Sequence, residues 1–169
     1  MAGHEDEVDR IIAAWGRERP DLDVTPLAVL SRVSRLARHL DLARKAAFET
    51  HGLESWEFDV LSALRRAGQP YGLTPTQLVR QTLVTSGTMT NRISRLVQRG
   101  LVSRTTSASD NRSVLVLLTP EGREVVDSAL AGLVTHERDI LATLPMDEQQ
   151  QLADLLKQLL GPFDDAPGA

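Results

Sequence analysis

The chain has 169 residues, a formal net charge of −4, 41% hydrophobic and 4% aromatic residues, and no cysteine. That length suits one domain with a sizeable core, or a compact domain with helical extensions, and the core must be mostly Leu, Val and Ala. Disulfides, thiolate chemistry and cysteine-ligated zinc are excluded; the acidic start Met1–Glu7 has no apolar h-region, and no run of roughly 18 apolar residues can span a membrane, so a cytoplasmic setting is expected.

Val8, Ile11, Ile12 and Trp15 recur at helical spacing, which predicts a short amphipathic helix over residues 4–18, stopped at Pro20. Thr25-Pro26 reads as N-cap and first helical position of a second helix. Leu27, Leu30, Val33, Leu36 and Leu40 mark one face of it, and it ends near His51 at Gly52. A third helix opens at Ser55 and closes at Gly68-Gln69-Pro70. Thr74-Pro75-Thr76-Gln77 is a capping box before a short helix ending near Thr82. Thr85-Ser86-Gly87 caps the next helix, in which Met89, Ile93, Leu96 and Val97 form an inward stripe; Gly100 ends it.

Leu101–Thr106 and Ser113–Leu118 read as two strands around a polar turn. Thr119-Pro120 caps a long helix to about Leu144, broken by Pro145. A last helix carries Leu152, Leu155, Leu156, Leu159 and Leu160 and is expected to end at Gly161-Pro162, with a frayed tail. The fold class is therefore mainly α with a small β-hairpin wing: a winged helix-turn-helix with N- and C-terminal helices that are apolar over more length than a winged helix alone could cover. The expected organisation is an extra helix over 1–24, a dimerisation region over 25–52 and 119–161, a DNA-binding domain over 53–118, and a flexible tail over 162–169.

Charge is segregated along the chain. Between Val60 and Ser113 there are eight arginines and one acid, Asp110, while both flanks are net acidic. A basic segment in an acidic protein matches a polyanion, and the helix-turn-helix pattern points to DNA. At about 100° per residue, Thr88, Asn91, Arg95 and Arg99 lie opposite the apolar stripe. Asn pairs with adenine and Arg with guanine, and Thr88, Thr90 and Ser86 offer hydroxyls to bases or phosphates. Arg112, near the hairpin tip, suits the narrow minor groove, with Asp110 holding it extended; a turn-forming Asp beside a solvated Arg is the plain alternative. Arg65, Arg66 and Arg80 read as phosphate contacts or solvated charges. The four histidines have no metal-ligand spacing, and no phosphate loop or nucleophile elbow is present, so no catalytic residue, metal or cofactor is expected.

Asp110-Asn111-Arg112 followed by Val116, Leu118, Thr119 and Gly122 resembles the wing signature of the multiple antibiotic resistance regulator (MarR) family. Asn111 stands where the family usually has a second arginine. Ser86-Gly87-Thr88-Met89-Thr90-Asn91-Arg92-Ile93 resembles the family's recognition helix. The resemblance implies a homodimer with interlocked terminal helices, bound to a palindromic double-stranded operator, repressing transcription and releasing DNA when a small molecule binds. Trp15 followed by Glu18-Arg19-Pro20-Asp21-Leu22-Asp23 resembles the urate-responsive subgroup, whose relatives answer to aconitate and citrate. Its sensing residues map onto Trp15, Asp59, Arg92 and Arg104. An anionic ligand stacked on Trp15 would take the Arg104 charge and repel Asp59, which would pull on Arg92 and tilt the recognition helix. Like charges about 4 Å apart cost on the order of 4 kcal/mol at an effective dielectric of about 20, enough for such coupling. The plainer readings are a packing role for Trp15 and a structural Asp59–Arg104 ion pair. Response to aromatic or phenolic acids, or ligand-independent DNA binding, are the alternatives.

Overall fold

The computed structural model describes residues 5–106 and 114–164. The contacts between residues divide the chain into two compact units, residues 1–46 and 47–169. In the first unit, α1 (Glu7–Glu18) starts on a capping box: the Asp6 carboxylate accepts from the backbone N–H groups of Val8 and Asp9, and the Asp9 side chain accepts from that of Asp6. Arg32, on α2 (Leu27–Glu49), then reaches both acids, with Nε 2.8 Å from Asp6 and Nη2 2.7 Å from Asp9. The cap of one helix is thereby also its tether to the next. Thr25 is not the cap that the sequence suggests: its hydroxyl donates to the Asp23 carboxylate, and the helix begins at Leu27.

The second unit holds the core. Gly52, at a φ of 66°, turns the chain out of α2 and into α3 (Ser55–Arg66), which buries Phe58, Val60, Leu61, Ala63 and Leu64. Phe48 stacks on Phe58 with ring centroids 4.1 Å apart. A short strand, β1 (Gly72–Leu73), follows, then α4 (Pro75–Thr82), capped by Thr74. Leu83, in the left-handed region, makes the turn into α5 (Ser86–Gln98), whose Thr85 cap accepts from the Thr88 N–H. Met89, Ile93 and Leu96 are buried as the stripe requires, but Val97 is 39% exposed. It lies at the edge of the stripe, one residue past Leu96, so the buried arc is narrower than the periodicity suggests.

Strands β2 (Val102–Thr106) and β3 (Val114–Leu118) pair antiparallel from Val102–Leu118 to Thr106–Val114, in a sheet of order β1-β3-β2. The third strand is absent from the sequence reading because Gly72–Leu73 is too short to show a period of two; it exists because β3 offers it an edge at Val116 and Leu117. Helix α6 (Pro120–Leu141), capped by Thr119, packs on α3 through Val126, Ala129 and Leu133. It stops three residues short of expectation, since residues just before Pro145 are biased away from helix. Helix α7 (Met146–Asp164) runs through Gly161-Pro162 rather than ending there. Proline keeps a helical φ, although Pro162 lacks the N–H for one helical hydrogen bond and its ring crowds the carbonyl one turn back.

A Cβ on Gly122 would lie 2.1 Å from the carbonyl oxygen of Leu101, a backbone atom that cannot rotate away. Gly122→Ala is expected to cost about 1–3 kcal/mol, read by denaturant unfolding; unchanged stability would mean that the approach of α6 to Leu101 is not fixed. Arg32 and the Asp9 and Val8 N–H groups lower the Asp6 pKa to about 2. The charged form is therefore favoured in the fold, so this contribution is complete above the ordinary carboxylate range and is lost as the pH falls through about 2. The protection of the α1 amides, measured relative to their intrinsic exchange rate at each pH, is expected to fall over that descent in the wild type and to be low throughout in Arg32→Ala.

Candidate nucleic-acid interface

The interface is built on α5, because its three buried residues leave one polar face outward. Ser86, Thr88, Thr90, Asn91 and Arg95 are all exposed. Thr88 and Thr90 are held by local bonds. The Thr88 and Thr85 hydroxyls are 2.9 Å apart; Thr90 Oγ1 donates to the Ser86 carbonyl at 3.0 Å, and Ser94 Oγ to that of Thr90 at 3.0 Å. Asn91, exposed, follows Thr90 in the chain. Asp110 and Arg112, expected at the wing tip, lie outside the described residues.

The arginines are not equivalent. Arg95 Nη2 lies 2.5 Å from Glu54 Oε1, both side chains more than half exposed. Its guanidinium also lies over the Trp56 ring, 4.7 Å from the centroid, and Arg92 lies over the same ring at 5.5 Å. Trp56 Nε1 donates to Glu54 Oε2 at 2.7 Å. The indole N–H first, and the Arg95 guanidinium after it, hold the Glu54 carboxyl below its ordinary range.

Arg99, expected to face the groove, is instead tied back to α3. Its Nη1 bonds the Glu57 carboxylate and its Nη2 donates to the Gly52 carbonyl at 2.8 Å. Glu57 is fully buried; its Oε2 also accepts the Glu54 N–H at 3.0 Å, while its Oε1 has no hydrogen-bond partner. A buried carboxylate demands such a counter-charge, and Arg99 is one helical turn beyond Arg95, within reach of it. Arg65 is similarly committed, 2.8 Å from Asp127 on α6 and over the Tyr71 ring. Arg66 donates to Ser62 Oγ at 3.2 Å, and Arg80 on α4 is exposed.

Of the four residues that the resemblance assigns to ligand sensing, three are in the second unit. Arg104, on β2, donates to Ser94 Oγ at 2.9 Å, which ties the wing to the recognition helix. Arg92 is half-buried against Trp56. Asp59, on α3, lines a shallow cavity of about 220 Å³ with Ser62, Arg66, Gln81, Thr82 and Leu83. Trp15 belongs to the first unit, on α1, and is 49% exposed. Among the described residues, no group of three His, Asp or Glu side chains could hold a metal ion, and no helix is long and apolar enough to cross a membrane.

Glu54, Trp56 and Glu57 were not singled out by sequence reasoning. The signal was there: two glutamates three apart at the start of α3 match the spacing of a capping pair, and the arginines at 95 and 99 repeat one turn apart.

A helix-turn-helix with a polar, arginine-bearing second helix, flanked by a β-hairpin, defines a winged-helix DNA-binding protein. Comparison with known proteins is more specific. The MarR family model matches residues 51–113. The HTH-type transcriptional regulator PecS of Dickeya dadantii is 39% identical over 150 residues, which is 89% of this chain and 90% of that protein. The multiple antibiotic resistance protein MarR of Escherichia coli is 34% identical over 106 residues, 62% of this chain and 71% of that one. A crystal structure of a mutant MarR from E. coli complexed with operator DNA superposes with a TM-score of 0.68 at 26% identity, covering 82% of this chain and 99% of the other. AbsC of Streptomyces coelicolor, at 19% identity and a TM-score of 0.75 over 86% of this chain and 98% of its own, shares the fold. The chain belongs to the MarR family; it is a transcriptional regulator that binds DNA.

The Arg99–Glu57 geometry carries its own expectation. Arg99→Ala leaves a buried carboxylate without its cation and is expected to cost about 1–3 kcal/mol of stability, seen as a lower denaturant midpoint without DNA present. An unchanged midpoint with weakened DNA binding would return Arg99 to the groove.

Proposed function

We propose that the protein is a dimeric repressor that binds a palindromic operator and releases it when a small anionic metabolite binds, such as urate or a tricarboxylate of the citrate and aconitate type. The observation that carries the DNA side is the outward face of α5. Thr88, Asn91 and Arg95 stand opposite the buried Met89, Ile93 and Leu96, with side-chain types that read adenine and guanine edges. Ser86 and Thr90 supply hydroxyls to the backbone, and Arg112, with Asp110, supplies the minor-groove contact from the wing. Arg99 supports the helix from behind.

Exposed apolar side chains support the homodimer. Leu130, Val134 and Leu141 on α6 and Leu155, Leu159, Leu160 and Phe163 on α7 are all 39% exposed or more. Such continuous apolar faces are expected to meet a partner. Two recognition helices would then address half-sites about 34 Å apart.

The bond from Arg104 to Ser94 supports the ligand side. Arg104 grips α5 through a single neutral hydroxyl. An anion is a stronger partner for a guanidinium than a hydroxyl, so ligand binding would draw Arg104 away and loosen the recognition helix. Trp15, Asp59 and Arg92 remain the other proposed sensing residues, and the compartment is the cytoplasm.

Binding to the protein's own upstream DNA is expected to weaken steeply with salt, each neutralised phosphate adding about −0.9 to the log–log slope. A flat dependence contradicts the reading. Arg95→Ala should relax sequence preference, a bidentate guanine contact being worth about 1–3 kcal/mol, whereas Arg112→Ala should weaken all duplexes alike. In gel-shift competition with urate, citrate, aconitate and salicylate, Trp15→Ala and Arg104→Ala should each blunt release by the active anion. Wild-type response in both places the sensor elsewhere, and release by salicylate alone favours an aromatic acid.

A further inference from the structure

Arg95 is the arginine best placed to read a base, yet in the DNA-free protein its guanidinium is already occupied. Glu54 Oε1 holds it at 2.5 Å and the Trp56 ring lies under it. Glu54 is itself fixed, because Oε2 accepts the Trp56 indole N–H. Acid, indole and two arginines thus form one cluster, Glu54 and Trp56 coming from the start of α3 and Arg92 and Arg95 from α5.

The neighbouring pair shows what is different about this one. Arg99 and Glu57 make the same kind of contact one turn further along α5, but Glu57 is 0% exposed and cannot exchange its partner for water or phosphate. Glu54 and Arg95 are 56% and 57% exposed. An exposed pair is weak and exchangeable. The two glutamates of α3 therefore hold α5 in two ways: Glu57 through a fixed grip, Glu54 through a removable one.

We propose that Glu54 is an internal competitor for the operator: it occupies Arg95 in the free protein and must surrender it on binding, which lowers operator affinity below what α5 alone would give. The inference rests on the DNA-binding reading of α5. Once Arg95 moves to a guanine or a phosphate, the Glu54 charge is left uncompensated beside a polyanion. The cost is electrostatic, so it falls as salt screens it. The indole restrains Glu54 from following Arg95 and from swinging away.

The test is a double-mutant cycle on operator affinity, using the full-length protein with wild type, Glu54→Gln, Arg95→Ala and the double variant at low salt. Glutamine keeps an oxygen for the Trp56 N–H, so the cluster stays folded; Glu54→Ser, which retains a capping hydroxyl, serves as a second variant. Glu54→Gln is expected to tighten operator binding about two- to fivefold, the range of an exposed ion pair, and to give no tightening in the Arg95→Ala background. No tightening in the single variant, or equal tightening with and without Arg95, overturns the proposal, the second result meaning that Glu54 acts only as a general repulsive charge. If the wild type binds its upstream DNA with no salt dependence, the DNA-binding reading fails and the proposal falls with it; if the wild type binds normally, failure of the cycle removes the proposal alone.

Discussion

A carboxylate buried at the start of α3 governs the placement of the recognition helix. Glu57 has no access to solvent, and its charge is met by Arg99, the first residue after α5, and by the Glu54 N–H. Burying a charge is tolerated only with a partner in good geometry. The same arginine donates to the carbonyl of Gly52, at the turn that ends α2. Three backbone features are thereby held at one point: the exit of α2, the start of α3 and the end of α5. The apolar stripe of Met89, Ile93 and Leu96 buries one side of α5 but leaves its axial position loose, since apolar contacts are non-directional. The ion pair supplies the direction.

This constraint alters what the basic segment means. A sequence window from Val60 to Ser113 carries eight arginines against one acid, but the acids that meet several of them lie outside the window. Glu54 and Glu57 precede it, and Asp127 follows it, pairing with Arg65. The folded positive field is thus smaller and more local than the linear count. What stays directed outward is the face of α5 from Ser86 to Arg95, whose polarity is mostly hydroxyl and amide apart from the Arg95 guanidinium. On the proposed reading, DNA affinity depends on a few well-placed groups and on the wing, rather than on a broad basic surface.

Much of the fold was legible, for local reasons. Thr74-Pro75 and Thr119-Pro120 cap helices as read, because capping chemistry is fixed by adjacent residues. The glycines at 52 and 100 end helices with φ values of 66° and 72°, a conformation that favours glycine. What escaped was decided by partners distant in sequence. β1 exists because β3 lies beside it, and Arg99 turns inward because Glu57 lies 42 residues earlier. Helical phase placed Arg95 and Arg99 on one side of α5, and both do lie toward α3, but phase says nothing about which has a buried acid beneath it. Of the proposed sensing set, the placement of Arg104 on β2 next to α5 could be read from the strand boundary. Its bond to Ser94 could not, since the twist of the hairpin sets that distance.

The proposed interface has the outward face of α5 reading base edges in the major groove while Arg99 stays behind as a support. Methylation interference on the protein's own upstream DNA tests this directly, since methylating guanine N7 blocks only the major groove. Interference is expected at guanines in two clusters one helical turn apart, with the guanine signal lost in Arg95→Ala. Binding that is indifferent to N7 methylation, or interference unaltered in that variant, would contradict it.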